Sequence, residues 1–327
     1  MAMPMTNARA LLTERRERVE GLIARSGPAP QLEDVLSQID AALDRFAAGT
    51  YGLCETCHDP VEADRLEADP LTRFCLDHLT PAESRALQRD LDLASHVQAA
   101  LLPPVEVTAG GWQVTYRYDP LSSVSGDYVD VIRPAGANDA ELLVLLGDIA
   151  GKGVAASMLM AHLHASMRTL ADLGLSLSQM MARANRVFCE STMSSHYATL
   201  VCGRLGAAGD IEILNAGHCP PVLLHEGRTT TFDATSLPVG MFCVEDFACR
   251  QARLAPGDSL LLYTDGLTEA SDDEGNPYGA DRVIATALAH AGKDPHGLVT
   301  ACLGDLAAFR GGTRPEDDLT IMAIKRL

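Results

Sequence analysis

The 327-residue chain contains 47% hydrophobic and 21% charged residues, a composition typical of globular proteins, and at about 150 residues per domain it has room for two domains. Its net charge of −18, from 26 Lys and Arg against 44 Asp and Glu, excludes broad electrostatic binding to nucleic acid. Without an apolar run of about 18 residues or a signal-peptide core, we expect a cytoplasmic protein that does not bind membranes and keeps its thiols reduced.

Three helices are predicted in the N-terminal third, the second and third of them from apolar residues at helical spacing. Turn-forming residues at 26–30 separate the first two, Gly49 ends the second, and Pro103-Pro104 ends the third. The predicted helices are 5–25, 31–48 and 81–102.

A short polar stretch at 50–80 holds paired metal-ligand residues. Two Cys lie three positions apart, 17 residues follow, and then a Cys and a His lie three positions apart. Two such pairs on separate turns can close a tetrahedral zinc site with no open position, which is the arrangement of structural zinc. The predicted ligands are Cys54, Cys57, Cys75 and His78, with His58 as a spare candidate.

The residues around these ligands, 41–54 and 65–70, resemble the DksA/TraR zinc-finger family over about residues 31–80. The fourth ligand is usually Cys in that family and is His78 here. Members act on RNA polymerase through acidic residues at a coiled-coil tip, which the turn at 26–30 does not reproduce. We therefore expect a sensory or dimerising module and no binding to RNA polymerase.

After residue 104, strand-like runs dominate and two pairs of helices interrupt them. Strands in hairpins with blocks of paired helices predict an α+β fold rather than strict alternation of strand and helix. The predicted strands are 111–118, 127–133, 141–147, 197–205, 210–215, 221–224, 247–254, 258–263 and 319–325. The predicted helix pairs are 154–173 with 176–192, and 281–292 with 296–309.

Two aspartates lie where the first predicted hairpin opens. Asp127 begins one strand and Asp148 ends the next, with a turn-rich stretch between them. Because antiparallel partners keep a constant index sum, a turn centred between Ala137 and Asn138 places Asp127 opposite Asp148.

A second pair of strands repeats this pattern. Asp265 follows one strand and Asp317-Asp318 precedes another, so the acidic residues can meet at one edge of a β-sandwich. Clustered carboxylates resist ionisation unless cations neutralise them, and hard oxygen ligands suit Mg²⁺ or Mn²⁺. The alternative is that each aspartate serves as an ordinary turn or cap residue.

Five motifs carry a family resemblance from about residue 92 to the end of the chain. They occur in family order at 124–130, 147–156, 214–221, 263–270 and 317–320. Together they resemble the metal-dependent PPM-type serine/threonine phosphatases, in the SpoIIE/RsbU branch. The resemblance implies an αββα β-sandwich fold, two Mn²⁺ or Mg²⁺ ions, and phosphate-ester hydrolysis by water that the metals activate.

The resemblance also assigns roles to individual residues. Asp148 bridges the two ions, Asp265 and Asp317 complete one of them, and Asp127 with the Ile149 carbonyl helps to hold the other. Asp318 is a further candidate ligand. The type 2C phosphatases carry a His two residues after the bridging aspartate, where this chain has Ala, so the general acid stays unassigned.

Two residues beside these motifs have alternative interpretations. Lys152 precedes a predicted helix and either holds phosphate at its N-terminus or is an ordinary loop lysine. We interpret His218 as a structural residue that fixes a turn.

The sequence thus predicts three parts: 1–80 with the zinc finger, a helical linker at 81–104, and a phosphatase domain at 105–327. By resemblance, the substrate is a phosphorylated STAS-domain anti-anti-sigma factor or a similar signalling protein, and the zinc module regulates the enzyme, with homodimerisation as one route. The rival hypothesis is a zinc-ribbon transcription regulator with an inert phosphatase-like domain. A third is a redox switch in which oxidation of the zinc-site cysteines releases the metal.

Overall fold

A computed structural model describes residues 5–26, 29–79, 81–134, 141–192 and 196–327. The chain divides into two compact units, Met1–Arg89 and Asp90–Leu327. The predicted turns at 27–28 and 135–140 lie outside the described residues. Within the five described ranges, none of the helices has the length and hydrophobicity that crossing a bilayer requires.

The first unit is built from helices and the cysteine-bearing turns. Leu12 of the first helix and Ile39 and Ala42 of the second are buried together, and an Arg16–Asp40 ion pair of 2.6 Å joins the same two helices. The second helix ends at Gly49, whose φ of 71° is a left-handed conformation that glycine adopts without strain. The elements are α1 (Met5–Ser26), α2 (Pro30–Ala48), α3 (Ala63–Ala68), a 3₁₀ turn (Leu76–His78) and the start of α4 (Pro81–Leu101).

The second unit contains two antiparallel sheets. Their strands, in chain order, are β1 (Glu106–Ala109), β2 (Trp112–Asp119), β3 (Asp127–Ile132), β4 (Leu142–Ile149), β5 (Ala198–Leu205), β6 (Asp210–Ala216), β7 (Val222–His225), β8 (Arg228–Thr231), β9 (Arg250–Arg253), β10 (Ser259–Tyr263) and β11 (Leu319–Arg326). One sheet has the order β1-β2-β11-β10-β7-β8 and the other β3-β4-β5-β6-β9.

Helices cover the outer face of each sheet. Strand β4 shows why: Val144 and Leu146 pack between the sheets, whereas Leu143 and Leu145 pack under the first helix pair, so both faces must be apolar. A third apolar cluster joins the other sheet to the second helix pair. The predicted α+β fold with its αββα layers is confirmed. The remaining helices are α5 (Gly153–Ala171), α6 (Leu177–Ser191), α7 (Asp265–Thr268), α8 (Ala280–Ala289) and α9 (Pro295–Arg310).

Several elements differ from their predictions, and the short helices α3 and α7 were not predicted. Strands β1 and β8 were not predicted, because they are short, polar strands at a sheet edge with alternating exposure. The predicted strand at 247–254 shortens to the four residues of β9.

Candidate functional site

The predicted hairpin register is confirmed. Asp127, the first residue of β3, is paired with Asp148 near the end of β4, and the pairing continues to Ile132 with Leu143. In the other sheet, Tyr263 at the end of β10 is paired with Ile321 of β11. The aspartates that flank these strands therefore sit at strand ends, where rigid backbone fixes them.

Asp127 connects the two sheets through its carboxylate. The side chain is 2% exposed, and its Oδ2 accepts hydrogen bonds from the hydroxyls of Thr264 (3.1 Å) and Thr320 (2.5 Å). Thr264 also donates its backbone N–H to the Thr320 carbonyl, at 2.9 Å. Burial raises the pKa of Asp127 well above its usual value, against the opposing effect of the Thr320 hydroxyl. A carboxylate this buried needs a cation to stay ionised.

Thr264 and Thr320 were not predicted as site residues. Both are fully buried, and each lies within two residues of a motif aspartate. Their position inside the motifs could have marked them as candidate site residues. Which hydroxyl reaches Asp127, however, depends on how one sheet packs on the other.

Asp148 lies among the other carboxylates. Burial, and then the charges of Asp265 and Asp317, raise its pKa to about 7. Burial and the charge of Asp317 likewise raise the pKa of Asp265, which begins α7. Asp265 and Asp317 are therefore near enough to Asp148 to affect its pKa, and the role of all three as metal ligands stays a prediction.

The space beside Asp148 fits a cation. A Cβ added to Gly126 would lie 3.1 Å from both Asp148 Oδ1 and the Ile149 carbonyl oxygen, so a larger residue at this position would crowd these two oxygen ligands. Carboxylate and carbonyl oxygens are the ligands that Mg²⁺ and Mn²⁺ prefer. The residues present therefore fit the divalent ions that the resemblance implies.

Asp317 is held from the neighbouring loop by Lys152. The Lys152 ammonium lies 3.1 Å from Asp317 Oδ2 and donates to the Glu316 carbonyl at 3.0 Å. The lysine was predicted to be either a phosphate ligand or an ordinary loop residue. In this structure it positions the candidate metal ligand Asp317.

Both carboxylate oxygens of Asp318 accept hydrogen bonds from backbone amides. Oδ1 accepts from Leu121 N at 2.7 Å and Oδ2 from Gly126 N at 3.0 Å. These bonds fix the segment that leads into Asp127. The predicted metal-ligand role of Asp318 therefore competes with this loop-holding role.

His218 has the surroundings of a structural residue. Its ring Nδ1 lies 2.7 Å from the Thr199 hydroxyl, and its backbone N–H donates to Asn215 Oδ1 at 2.8 Å. Burial lowers the pKa of His218 to about 4, so the ring is neutral near pH 7.

The four predicted zinc ligands come together in the first unit. Their ligand atoms all lie within 4.8 Å of one another, with Cys75 Sγ 3.2 Å from His78 Nδ1 and 3.8 Å from Cys57 Sγ. Three thiols and one imidazole form a closed tetrahedral set that fits Zn²⁺. The spare candidate His58 lies outside this set. The four ligands are Cys54, Cys57, Cys75 and His78.

Two family models match the chain. The Stage II sporulation protein E (SpoIIE) model matches residues 138–327, and the prokaryotic DksA/TraR C4-type zinc-finger model matches residues 49–77. The zinc-finger match ends one residue before His78, the ligand that departs from a four-cysteine set.

Curated relatives match parts of the chain. Protein IcfG of Synechocystis is 25% identical over 266 residues, which are 72% of this chain and 41% of IcfG. The phosphoserine phosphatase RsbU of Bacillus subtilis is 23% identical over 192 residues, 58% of this chain and 56% of RsbU. The chain thus spans about half the length of the curated relatives that it matches.

Solved structures show the same fold. The SiaA-PP2C domain of Pseudomonas aeruginosa aligns with a TM-score of 0.65 at 20% identity, over 76% of this chain and 99% of that domain. The RsbU and RsbW domains of a Mycobacterium tuberculosis protein align with a TM-score of 0.58 at 25% identity, over 69% of this chain and 63% of theirs. Because the SpoIIE model matches more than half of the residues, the chain belongs to the SpoIIE family, with its PP2C-type phosphatase fold, and it carries a DksA/TraR-type zinc finger.

Proposed function

We propose that this protein is a metal-dependent protein-serine/threonine phosphatase. The observation that carries the proposal is the pairing of Asp127 with Asp148 at a sheet edge, with Asp265 and Asp317 close enough to raise the pKa of Asp148. Two carboxylate-bound divalent ions suit hydrolysis of a phosphate ester, which needs no side-chain nucleophile.

Each residue has a definite task in this proposal. Asp148 and Asp127 hold the ions together with the Ile149 carbonyl, and Asp265 and Asp317 complete the set. When bound, two Mn²⁺ or Mg²⁺ ions supply an activated water and neutralise the phosphoryl oxygens. Thr264 and Thr320 orient Asp127.

The substrate in this proposal is a phosphoserine or phosphothreonine on a signalling protein, with a STAS-domain anti-anti-sigma factor as the first candidate. Relatives named phosphoserine phosphatases, RsbU and RsbP, support the substrate class. We further propose that the zinc in the first unit is structural, since four protein ligands leave no open position.

The proposal is tested with p-nitrophenyl phosphate and a phosphoserine peptide. We expect hydrolysis with Mn²⁺ or Mg²⁺, none with a chelator, and a loss of about a thousandfold or more in kcat for Asp148→Asn. Asp233→Asn, a matched change at an exposed aspartate, should keep full activity. Hydrolysis without divalent metal, or undiminished hydrolysis by Asp148→Asn, contradicts the mechanism.

A zinc-ribbon regulator with an inert second unit is the competing function. It predicts that the full-length chain hydrolyses neither compound under any metal condition. The buried, hydrogen-bonded Asp127 argues against it, because an inert domain would not need to retain this costly group.

A further inference from the structure

A groove of about 650 Å³ opens beside the candidate metal site. Neither metal binding nor hydrolysis, as proposed above, uses this groove. Its walls come from the end of β2, the residues around α7, and α9 with the segment that leads to β11. Asp317 and Lys152 lie on its border. A substrate whose phosphate reaches the aspartates would therefore place its neighbouring residues in this groove.

The floor of the groove is apolar. Leu303, Leu306 and Ala307 follow one another at helical spacing along α9, and Leu319 and Ala270 line the same space. Such a surface accepts an extended peptide better than it accepts a small, fully charged molecule.

The rim carries four cationic side chains, and two of them are already paired. Arg117 binds Asp119 at 2.6 Å, and Lys152 binds Asp317 at 3.1 Å.

Arg310 and Arg314 lack such partners. Arg310 donates to the Thr313 carbonyl at 3.1 Å; in the part of the chain that the structure describes, neither guanidinium forms an ion pair, although Glu269 and Glu316 also line the groove. Among the described residues that line the groove, four cationic and four anionic side chains balance in formal charge, so unpaired guanidinium groups, rather than an excess of positive charge, distinguish Arg310 and Arg314.

We propose that this groove binds the segment next to the phosphorylated residue and that Arg310 and Arg314 select substrates with an acidic side chain there. The proposal rests on the proposed phosphatase function, since the position of the groove beside Asp317 gives it a substrate role. Guanidinium groups recognise carboxylates by paired hydrogen bonds, which favours glutamate or aspartate over a neutral residue.

Binding to labelled phosphoserine peptides tests the proposal without turnover, in metal-free buffer. The peptides carry one Glu, or a Gln in its place, at each position within four residues of the phosphoserine. At one or more positions, the full chain should prefer Glu over Gln, and the double variant Arg310→Gln/Arg314→Gln should lower that preference about tenfold. With Mn²⁺ present, the same preference should appear in kcat/KM through KM.

Two further variants guard against misfolding. The double variant Arg228→Gln/Arg250→Gln makes the same change in net charge at exposed residues outside the groove and should keep the preference. Arg314→Glu should reverse it, so that a Lys peptide binds better than the Glu peptide.

The outcomes separate the two proposals. Equal binding of Glu and Gln peptides overturns the proposed role of the groove. A preference for Glu that the double variant of Arg310 and Arg314 leaves unchanged overturns it as well. A preference that depends on these arginines, without hydrolysis under any metal condition, supports the groove as a binding site and overturns the phosphatase function.

Discussion

The carboxylate of Asp127 depends on two neighbouring hydroxyls. Thr320 and Thr264 both donate to its Oδ2 from the opposite sheet. Such partners orient a metal ligand and keep it ionised, and their loss costs about 10- to 100-fold in metal affinity or activity.

We predict that Thr320→Val raises the Mn²⁺ concentration for half-maximal activity by about tenfold or more. The change keeps the shape of the side chain and removes its hydroxyl, so Asp127 loses its shorter hydrogen bond. A Mn²⁺ titration of p-nitrophenyl phosphate hydrolysis measures it. Thr115→Val is the matched control, because the Thr115 hydroxyl is buried without a hydrogen-bond partner among the described residues. Similar Mn²⁺ curves for both variants would show that Thr320 does not support the site.

The carboxylate cluster should make the metal-free protein sensitive to pH. The pKa of Asp148 is raised to about 7 by burial and by Asp265 and Asp317, against about 3.9 in an unfolded chain. The folded state therefore binds the Asp148 proton more tightly than the unfolded chain does. The protonated carboxyl stabilises the fold fully below the pKa of the unfolded chain, and this stabilisation is lost as pH rises through the pKa of the folded state.

We predict that the melting temperature of the metal-free protein falls between about pH 4 and 7, and that Asp148→Asn flattens part of this fall. Mn²⁺ should raise the melting temperature most strongly above pH 7, because the clustered carboxylates are then ionised and repel one another. Lys152 offsets only part of this repulsion, through its ion pair with Asp317. Thermal melts with and without Mn²⁺ at a series of pH values measure both effects. A metal-free melting temperature that rises over this range in the wild type and falls in Asp148→Asn contradicts the assignment.

At the scale of elements, helix α5 is fastened to strand β3 by a buried charge. Asp130 is fully buried and binds Arg168 of α5 through two hydrogen bonds of 2.6 and 2.9 Å. His164 Nε2 lies 3.5 Å from the same carboxylate. Since α5 begins four residues after Ile149, this pair holds the helix that follows the metal site.

We predict that Arg168→Gln destabilises the protein by about 2–4 kcal/mol, because it leaves the Asp130 charge buried without its main partner. Urea unfolding measures the free energy. Arg183→Gln, at an exposed position of α6, is the control and should change stability by less than about 0.5 kcal/mol. A loss no larger than that of the control would show that the contact between Arg168 and Asp130 does not stabilise the protein.

Periodicity and turn residues in the sequence were enough to predict most helices and strands. Contacts between residues far apart in the sequence could not be predicted from these local patterns. The β3–β4 register could be predicted because one turn sets the index sum for both strands. The bonds of Asp318 to Leu121 and Gly126 span almost 200 residues, and no periodicity records them. Asp130 was visible in a motif, but its partner Arg168 lies on a helix whose docking only the fold determines.

For the whole molecule, the two units have separate cores. The first packs α1, α2 and the cysteine-bearing turns around their own buried residues, and the second has three apolar clusters of its own. The zinc ligands all belong to the first unit. Loss of zinc should therefore act on one core and spare the other.

We predict that Cys57→Ser, or a zinc chelator, abolishes one thermal unfolding transition and leaves a second nearly unchanged. Zinc contributes folding free energy to a site of this size, because the four ligands come together to bind it only in the folded state. Calorimetry measures the transitions, and activity with excess Mn²⁺ reports on the second unit. Cys243→Ser, at an exposed thiol of the second unit, should keep both transitions. If Cys57→Ser abolishes both transitions together, the two units unfold as one, and the zinc finger also stabilises the second unit.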